Sequence, residues 1–466
     1  MPDFENYLSP FTWRYGSVEM RSLWSESNKR LIWRQLWVAL AEVQCEFGLV
    51  KPEQVTDLRQ HMAEINIPHA LEIEAEIQHD LMAELKTFAG QSPIGGGILH
   101  YGATSSDIED NTDALRLRAG LEILLKSLST LLESMVALIT KWADIPVMAY
   151  THIQPAEPTT LGYRLALYGQ DLLHDYQLII DLVNGIMGKG FKGAVGTSAA
   201  YAEILGIENL TEFEIKLSEK LELRFYSIAS QVYPRKQDYD IVSALAGLGA
   251  SLHKLAFDIR LLQSPSIGEL AEPFGESQIG SSAMPFKRNP IQSEKINSLA
   301  RYLATLPRIA WDNAANSLLE RTLDDSANRR ILLPEACLTA DEMLLTANKI
   351  ISKLQIDEAA IARNLATYGP FAATERLLMA LVKAGADRQE MHACLRSHAL
   401  KAWQTLKLGV DNPLIEDICM DVKFAEYLSN QDIRQLMEAK SQIGDAPERA
   451  RRLANEIKEI VNIKTG

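Results

Sequence analysis

The chain has 466 residues, of which 47% are hydrophobic, 7% aromatic and 23% charged, with a formal net charge of −14. That length and balance fit two or three globular domains with sizeable cores. The negative charge argues against nucleic acid and anionic membrane as partners, so any anion site must gather its cations locally.

Four cysteines, Cys45, Cys337, Cys394 and Cys419, are scattered without CxxC spacing, the pattern of reduced thiols in a cytoplasmic protein. The opening MPDFENYLSPFTWRYGSVEM is acidic and has no apolar segment, so no signal peptide is expected. No apolar run reaches the roughly 18 residues a membrane span needs, and no linker, low-complexity tract or repeat stands out.

Residues 1–112 read as shorter helices and polar turns. Within them lie Arg14–Tyr15 in WRYG, His79–Asp80 in QHDLMAE, and His100 with Thr104, Ser105 and Ser106 in HYGATSSDIEDN. The last segment holds more hydroxyls than one helix cap needs, which points weakly to a ligand. His79 reads equally as a solvent-facing side chain, because neighbours at i and i+1 of a helix do not face each other.

From Asp113 to about Trp142 the residues Leu117, Leu121, Leu124, Leu128, Leu132, Met135 and Ile139 step by three and four, one continuous helical stripe. Similar patterns predict helices over Thr160–Met187, Lys236–Gln263 and Ile291–Leu318, and a fifth from about Pro334 past Ile351. Five long helices in succession predict an elongated bundle of about 40 Å or more. Residues from about 366 onward return to short helices. The predicted fold is all-α, with an N-terminal domain over 1–112, a central long-helix bundle over 113–365 and a C-terminal domain over 366–466. Apolar residues on more than one side of the long helices predict oligomerisation.

The connections between these helices carry the unusual chemistry. YTHIQPAEPTT places His152 beside Thr151. It is either a surface histidine with a capping threonine or a group whose charge changes near neutral pH. GAVGT, Gly193–Thr197, is a tight loop without the context of a dinucleotide fingerprint. GSSAMPFKRNP, Gly280–Pro290, joins backbone N–H groups, Ser281, Lys287 and Asn289 between two prolines; it reads as a solvated connection or as a mobile anion-binding loop with a reactive serine. In LLERTLDDSANRR, Arg321, Ser326 and Arg330 suit a phosphate, or else pair with Glu320, Asp324 and Asp325. No Walker P-loop, HExxH or zinc-spaced Cys/His cluster is present, so neither a P-loop nucleotidase nor a zinc hydrolase is supported.

GSSAMPFKRNP resembles the signature loop GSSxMPxKxNP of the fumarase/aspartase superfamily. RY at 14–15, HD at 79–80, GATSSD at 102–107, THIQPAEPTT at 151–160, GAVGT at 193–197, QVYPR at 231–235 and ER through Arg330 match it in order along nearly the whole chain. Within that superfamily the motifs are most similar to those of the adenylosuccinate lyase family. The resemblance implies a helical homotetramer with active sites shared between subunits, no metal or organic cofactor, and no nucleic-acid or membrane partner. It implies β-elimination of fumarate from small nucleotide substrates in purine biosynthesis, adenylosuccinate giving AMP and SAICAR giving AICAR. Argininosuccinate lyase and carboxymuconate cycloisomerase share the loop and are the alternatives; a catalytically dead helical scaffold is a third.

Carried across by motif, the resemblance makes Ser281 the general base at the succinyl Cβ and His152 the general acid at the departing nitrogen. His79 would help place His152. Lys287, Asn289, Thr104, Ser105 and Gln231 would hold the succinyl end, with Asp80 and Thr151 also at the substrate. Arg14, Tyr15, Arg321, Ser326 and Arg330 would bind the phosphate. Phe286 and Lys295 depart from what some relatives carry and leave individual contacts open.

Overall fold

The computed structural model describes residues 4–464, with side chains to residue 461. The chain opens with α1 (Val18–Leu23), α2 (Glu26–Glu46), α3 (Pro52–His61), α4 (Ile67–Ile77) and α5 (Asp80–Gln91). Ser17 and Ser25 cap α1 and α2 by accepting N–H bonds from Met20 and Asn28. The 37-residue α6 (Ser105–Lys141) leads to a hairpin of β1 (Pro146–Thr151) and β2 (Gln154–Thr160), then α7 (Leu161–Gly185), α8 (Ala199–Leu205) and α9 (Leu210–Lys220). Next come α10 (Lys236–Leu262), β3 (Leu270–Ala271), α11 (Ile291–Leu303), α12 (Leu306–Ala315), α13 (Ser326–Ile351) and β4 (Gln355–Ile356). Seven α-helices complete the described residues: α14 (Glu358–Ala372), α15 (Thr374–Lys383), α16 (Arg388–Lys407), α17 (Leu414–Met420), α18 (Val422–Ala425), α19 (Asn430–Leu436) and α20 (Ala446–Lys464).

The expected all-α class holds, with two small antiparallel ribbons, β1–β2 and β3–β4, added. Contacts divide the chain into two units. One comprises residues up to Leu128, Asp175–Ala250 and Ser298–Leu345; the other comprises Ser129–His174, Ser251–Asn297 and the chain from Thr346. The first contains a core of Trp33, Trp37, Leu40, Phe88, Ile108, Tyr201 and Phe213. In the second, Leu377, Leu381, Leu395, Leu414, Ile418, Phe424 and Ile433 gather the terminal helices.

Every residue of the α6 stripe, Leu117 through Ile139, is buried to 1% exposure or less. Each such side chain contributes roughly 1.5–3 kcal/mol. By length and composition α6 passes the test for crossing a membrane, with an 18-residue window of mean hydropathy 1.6. The apolar stripe is instead used in packing against the rest of the chain.

Three helix boundaries differ from expectation. α6 begins at Ser105, eight residues before Asp113, because Asp107, Asp110 and Asp113 recur every three residues and each meets a buried cation rather than water. The predicted Ile291–Leu318 helix is two, α11 and α12, since Pro307 in the first turn of α12 has no N–H to continue the ladder from Leu303. α13 begins at Ser326 and runs through Pro334. Burial of Leu332, Leu333, Ala336 and Leu338 around that proline offsets the lost backbone bond.

Candidate functional site

In the first unit, the site grows from the ends of α5, α6 and α13. His79 caps α5 in an extended conformation (φ −149°, ψ 107°), not within the helix. Its Nε2 lies 3.3 Å from Ser105 Oγ at the start of α6, and its Nδ1 3.8 Å from Asp80 Oδ1. Asp80 Oδ2 stands 2.8 Å from Arg330 Nη2 on α13. Burial works to raise the Asp80 pKa, but Arg330 and the Leu81 N–H outweigh it and hold the carboxyl below its ordinary range.

Ser326, Arg321 and Arg330 line one cavity of about 200 Å³. Arg321 Nη1 donates to Asp325 Oδ1 at 2.7 Å. Behind these residues lies a dry layer of ion pairs. Arg235 makes two bonds to Asp110, at 3.0 and 3.1 Å, and one to Asp325 at 2.6 Å. Arg329 bonds Asp238 at 2.8 Å, takes Asp113 at 3.1 Å and donates to the Tyr233 hydroxyl at 2.8 Å. Here QVYPR contributes a structural arginine, while the Gln231 N–H donates to Glu320 O at 3.1 Å, tying Gln231 to the residue before Arg321.

Asp107 is the hub beneath Thr104. Its carboxylate accepts from Thr104 N at 2.9 Å, from Lys189 Nζ at 2.5 Å and from Gly193 N at 3.2 Å. The GAVGT loop is therefore docked on α6. Gly196 in that loop has φ +81°, and a Cβ there would stand 1.8 Å from Ala229 O.

Arg14 and Tyr15 do not line this cavity. The residues after them are fixed to α13 further along, Gly16 N to Glu342 at 2.9 Å and Ser17 N to Asp341 at 2.6 Å. That anchor is about 16 Å beyond Arg330 at the rise of a helix.

The second unit holds the remaining residues on two supports. Thr151 and His152 are exposed at the tip of the β1–β2 hairpin. Thr151 pairs with Gln154, leaving His152 and Ile153 as a two-residue turn with φ +54° and +60°. Hairpin twist favours two left-handed residues there, usually Asn or Gly, so His152 and Ile153 hold a strained conformation at a place where strain tends to serve function. The sequence reading saw only a connection, because Pro155 and Pro158 conceal the strand.

The signature loop forms the other support. Glu272, buried at its start, accepts from Gln292 N, Ser293 N and Ser293 Oγ at 3.1, 2.9 and 3.0 Å at the start of α11. One carboxylate thus caps the helix and joins the two ends of the loop. Within it, Asn289 Nδ2 donates to Gly280 O at 2.9 Å, and a Cβ at Gly280 would stand 2.0 Å from Lys287 O. Ser281 Oγ accepts from Ala283 N at 3.4 Å and Met284 N at 3.1 Å. Two N–H dipoles thus converge on one hydroxyl oxygen, an arrangement that lowers the cost of an alkoxide there. Lys287 is exposed beside it.

Lys189 and Glu109 escape the sequence reading, and His100 is singled out there only with the hydroxyls of its segment. His100, with φ +65°, accepts from Trp37 Nε1 through Nδ1 at 3.0 Å, and burial lowers its pKa. Lys189 is fully buried under Asp107. Glu109 enters the cavity of Arg321 and Arg330. Only the glycine and hydroxyl content near His100 gave any signal.

Comparison with known proteins fits these observations. A family model described as "Lyase" matches residues 23–303, and one described as "Adenylosuccinate lyase C-terminus" matches 370–453. The adenylosuccinate lyase of Schistosoma mansoni is 40% identical over 91% of this chain and 90% of its own. That of Saccharomyces cerevisiae is 38% identical over 96% and 94%. Among solved structures, the 3-carboxy-cis,cis-muconate lactonizing enzyme of Pseudomonas putida superimposes with a TM-score of 0.86 at 23% identity, over 96% of this chain and 99% of that one, a likeness of fold. The chain belongs to the adenylosuccinate lyase family, C–N lyases of the fumarase/aspartase superfamily.

Proposed function

We propose that the chain eliminates fumarate from adenylosuccinate and from SAICAR, with Ser281 as the base and His152 as the acid. The observation that carries this reading is the gathering of Arg321, Ser326 and Arg330 on one cavity, supported from behind by neutralised ion pairs. A phosphate needs such a cluster; a non-phosphorylated succinyl substrate does not.

Each step asks for a group of the kind found. Removing a weakly acidic Cβ proton builds negative charge on the adjacent carboxylate, and donors preorganised for it are worth about 10²–10³ each in rate. Lys287, the free N–H of Asn289 and the loop backbone supply them. The N–H groups of Ala283 and Met284 favour a deprotonated Ser281. Protonation of the leaving nitrogen adds roughly 10²–10⁴, and an exposed imidazole at a hairpin tip can deliver it. Closure of the loop over the substrate would exclude water. His79, tied to Ser105 and beside Asp80, orients the groups around the reacting centre.

The same reading includes a homotetramer. Arg14 and Tyr15 belong to the proposed phosphate set yet stand away from Arg321 and Arg330 in the single chain, which supports sites completed by a second copy. The separate core of residues 373–437 and the C-terminal family match support a C-terminal domain from about 366.

Purified protein incubated with adenylosuccinate, and separately with SAICAR, should release fumarate, read by its ultraviolet absorbance. A folded, assembled protein that releases none from either substrate overturns the reading.

A further inference from the structure

The cavity that holds Arg321, Ser326 and Arg330 is unusually ionic for its size: six cationic and five acidic side chains line about 200 Å³. Four of the acids are accounted for. Asp80 pairs with Arg330, Asp110 with Arg235, Asp113 with Arg329, and Glu26 with Lys29 and Arg30. Glu109, partly buried on α6, is different: among the described residues no cation lies within 4.0 Å of its carboxylate.

The surroundings of Glu109 come from four directions. On α6 itself stand Asp110, Asp113 and Arg116; from α5 comes Asp80; from α2 come Glu26 and Lys29. From α13 come Arg329 and Arg330, with Arg321 before that helix and Arg235 before α10. Two more carboxylates stand behind these cations, Asp325 on Arg235 and Arg321 and Asp238 on Arg329, so with Glu109 ionised the acids of the cluster outnumber its cations by one. Protonating Glu109, the acid without a cation partner, removes that excess and the repulsion it would exert on a phosphate dianion.

We propose that Glu109 sets the charge of the phosphate subsite, taking up a proton as the dianion binds and releasing it when the nucleotide leaves. This deepens the function proposed above and rests on its placement of the phosphate. The proton comes from solvent and returns there; no bond to the ligand forms or breaks. Once neutral, the carboxyl no longer repels the ligand and has an O–H to donate. Burial, reinforced by Asp80, Asp110 and Asp113, raises the Glu109 pKa to about 7, so the free site is poised to accept a proton at neutral pH. A nearby dianion adds Coulomb attraction for that proton.

The test is calorimetry of AMP binding to the assembled enzyme near about pH 7.5, where the phosphate is already close to dianionic, in buffers of different ionisation enthalpy. The wild type should take up a substantial fraction of one proton per site, and Glu109→Gln much less. In turnover, wild-type KM for adenylosuccinate should climb with pH above about 7.5 by up to about tenfold per pH unit relative to Glu109→Gln, with a larger effect on KM than on kcat. Absence of proton uptake by the wild type overturns the proposal whether or not the variant folds. So does a variant-to-wild-type KM ratio that stays constant from about pH 6 to 9. Arg330→Ala separates the two readings. If it weakens AMP while Glu109→Gln keeps wild-type uptake, the phosphate placement stands and Glu109 alone falls; if it leaves AMP affinity unchanged, both fall.

Discussion

Arg330 of α13 lies 2.8 Å from the carboxylate of Asp80, the residue next to His79. The helix that offers a cation to the proposed phosphate subsite is thereby tied to the segment carrying a candidate catalytic histidine. Arg330→Ala should raise KM for adenylosuccinate by about 10- to 100-fold, the size of a charge-assisted contact, and should also lower kcat as Asp80 and His79 loosen. Steady-state kinetics check this; an unchanged KM would remove Arg330 from the phosphate set.

Ser281→Ala and His152→Ala should each lower kcat by about 10²–10⁴ while circular dichroism and oligomer size stay as in the wild type. Both residues are outside the buried cores, and neither bears packing. A variant with near-normal turnover would cost that residue its assigned role.

Asp107→Asn should destabilise the fold by about 3–5 kcal/mol, because it leaves the fully buried Lys189 ammonium without its counter-charge. Denaturant unfolding reads the loss, and adding Lys189→Met should recover part of it. A loss under about 1 kcal/mol would mean that water reaches this site.

Glu109 gives stability a pH dependence of known sign. Its folded pKa, about 7, lies above its ordinary carboxylate value, so its favourable contribution is full below about pH 4.5 and is lost as pH rises through about 7. Glu109→Gln should therefore gain stability over the wild type between about pH 5 and 8, by at most about 3 kcal/mol. Thermal unfolding at both ends of that window tests it; a difference independent of pH would mean Glu109 titrates normally.

The parts of the molecule legible in the sequence were those written in local periodicity or contiguous motifs. The stripe Leu117–Ile139 announced α6, and GSSAMPFKRNP announced the irregular connection that runs into α11. What escaped was set by distant partners. Asp107 and Asp110 read as polar cap residues because Lys189 and Arg235, their buried partners, lie 82 and 125 positions away in sequence. Pro334 reads as a start for α13 because a proline's usual cost is local, whereas the burial that outweighs it is not. Arg14 and Tyr15 were grouped with Arg330 by motif, and one copy of the chain does not bring them to the same cavity.

The hairpin that carries His152 has a mechanical corollary. The ribbon is held by α14 to within two residues of its turn, where Leu365 and Tyr368 pack with Met148 and Tyr150, while the turn itself is exposed. The imidazole is therefore aimed through that contact: a tilt of the ribbon on α14 carries the ring with it. With His152 as the proposed acid, trimming Leu365, a side chain with no chemistry of its own, would disturb its aim from several residues away, and such remote aim-spoiling would look in kinetics like damage to the imidazole itself.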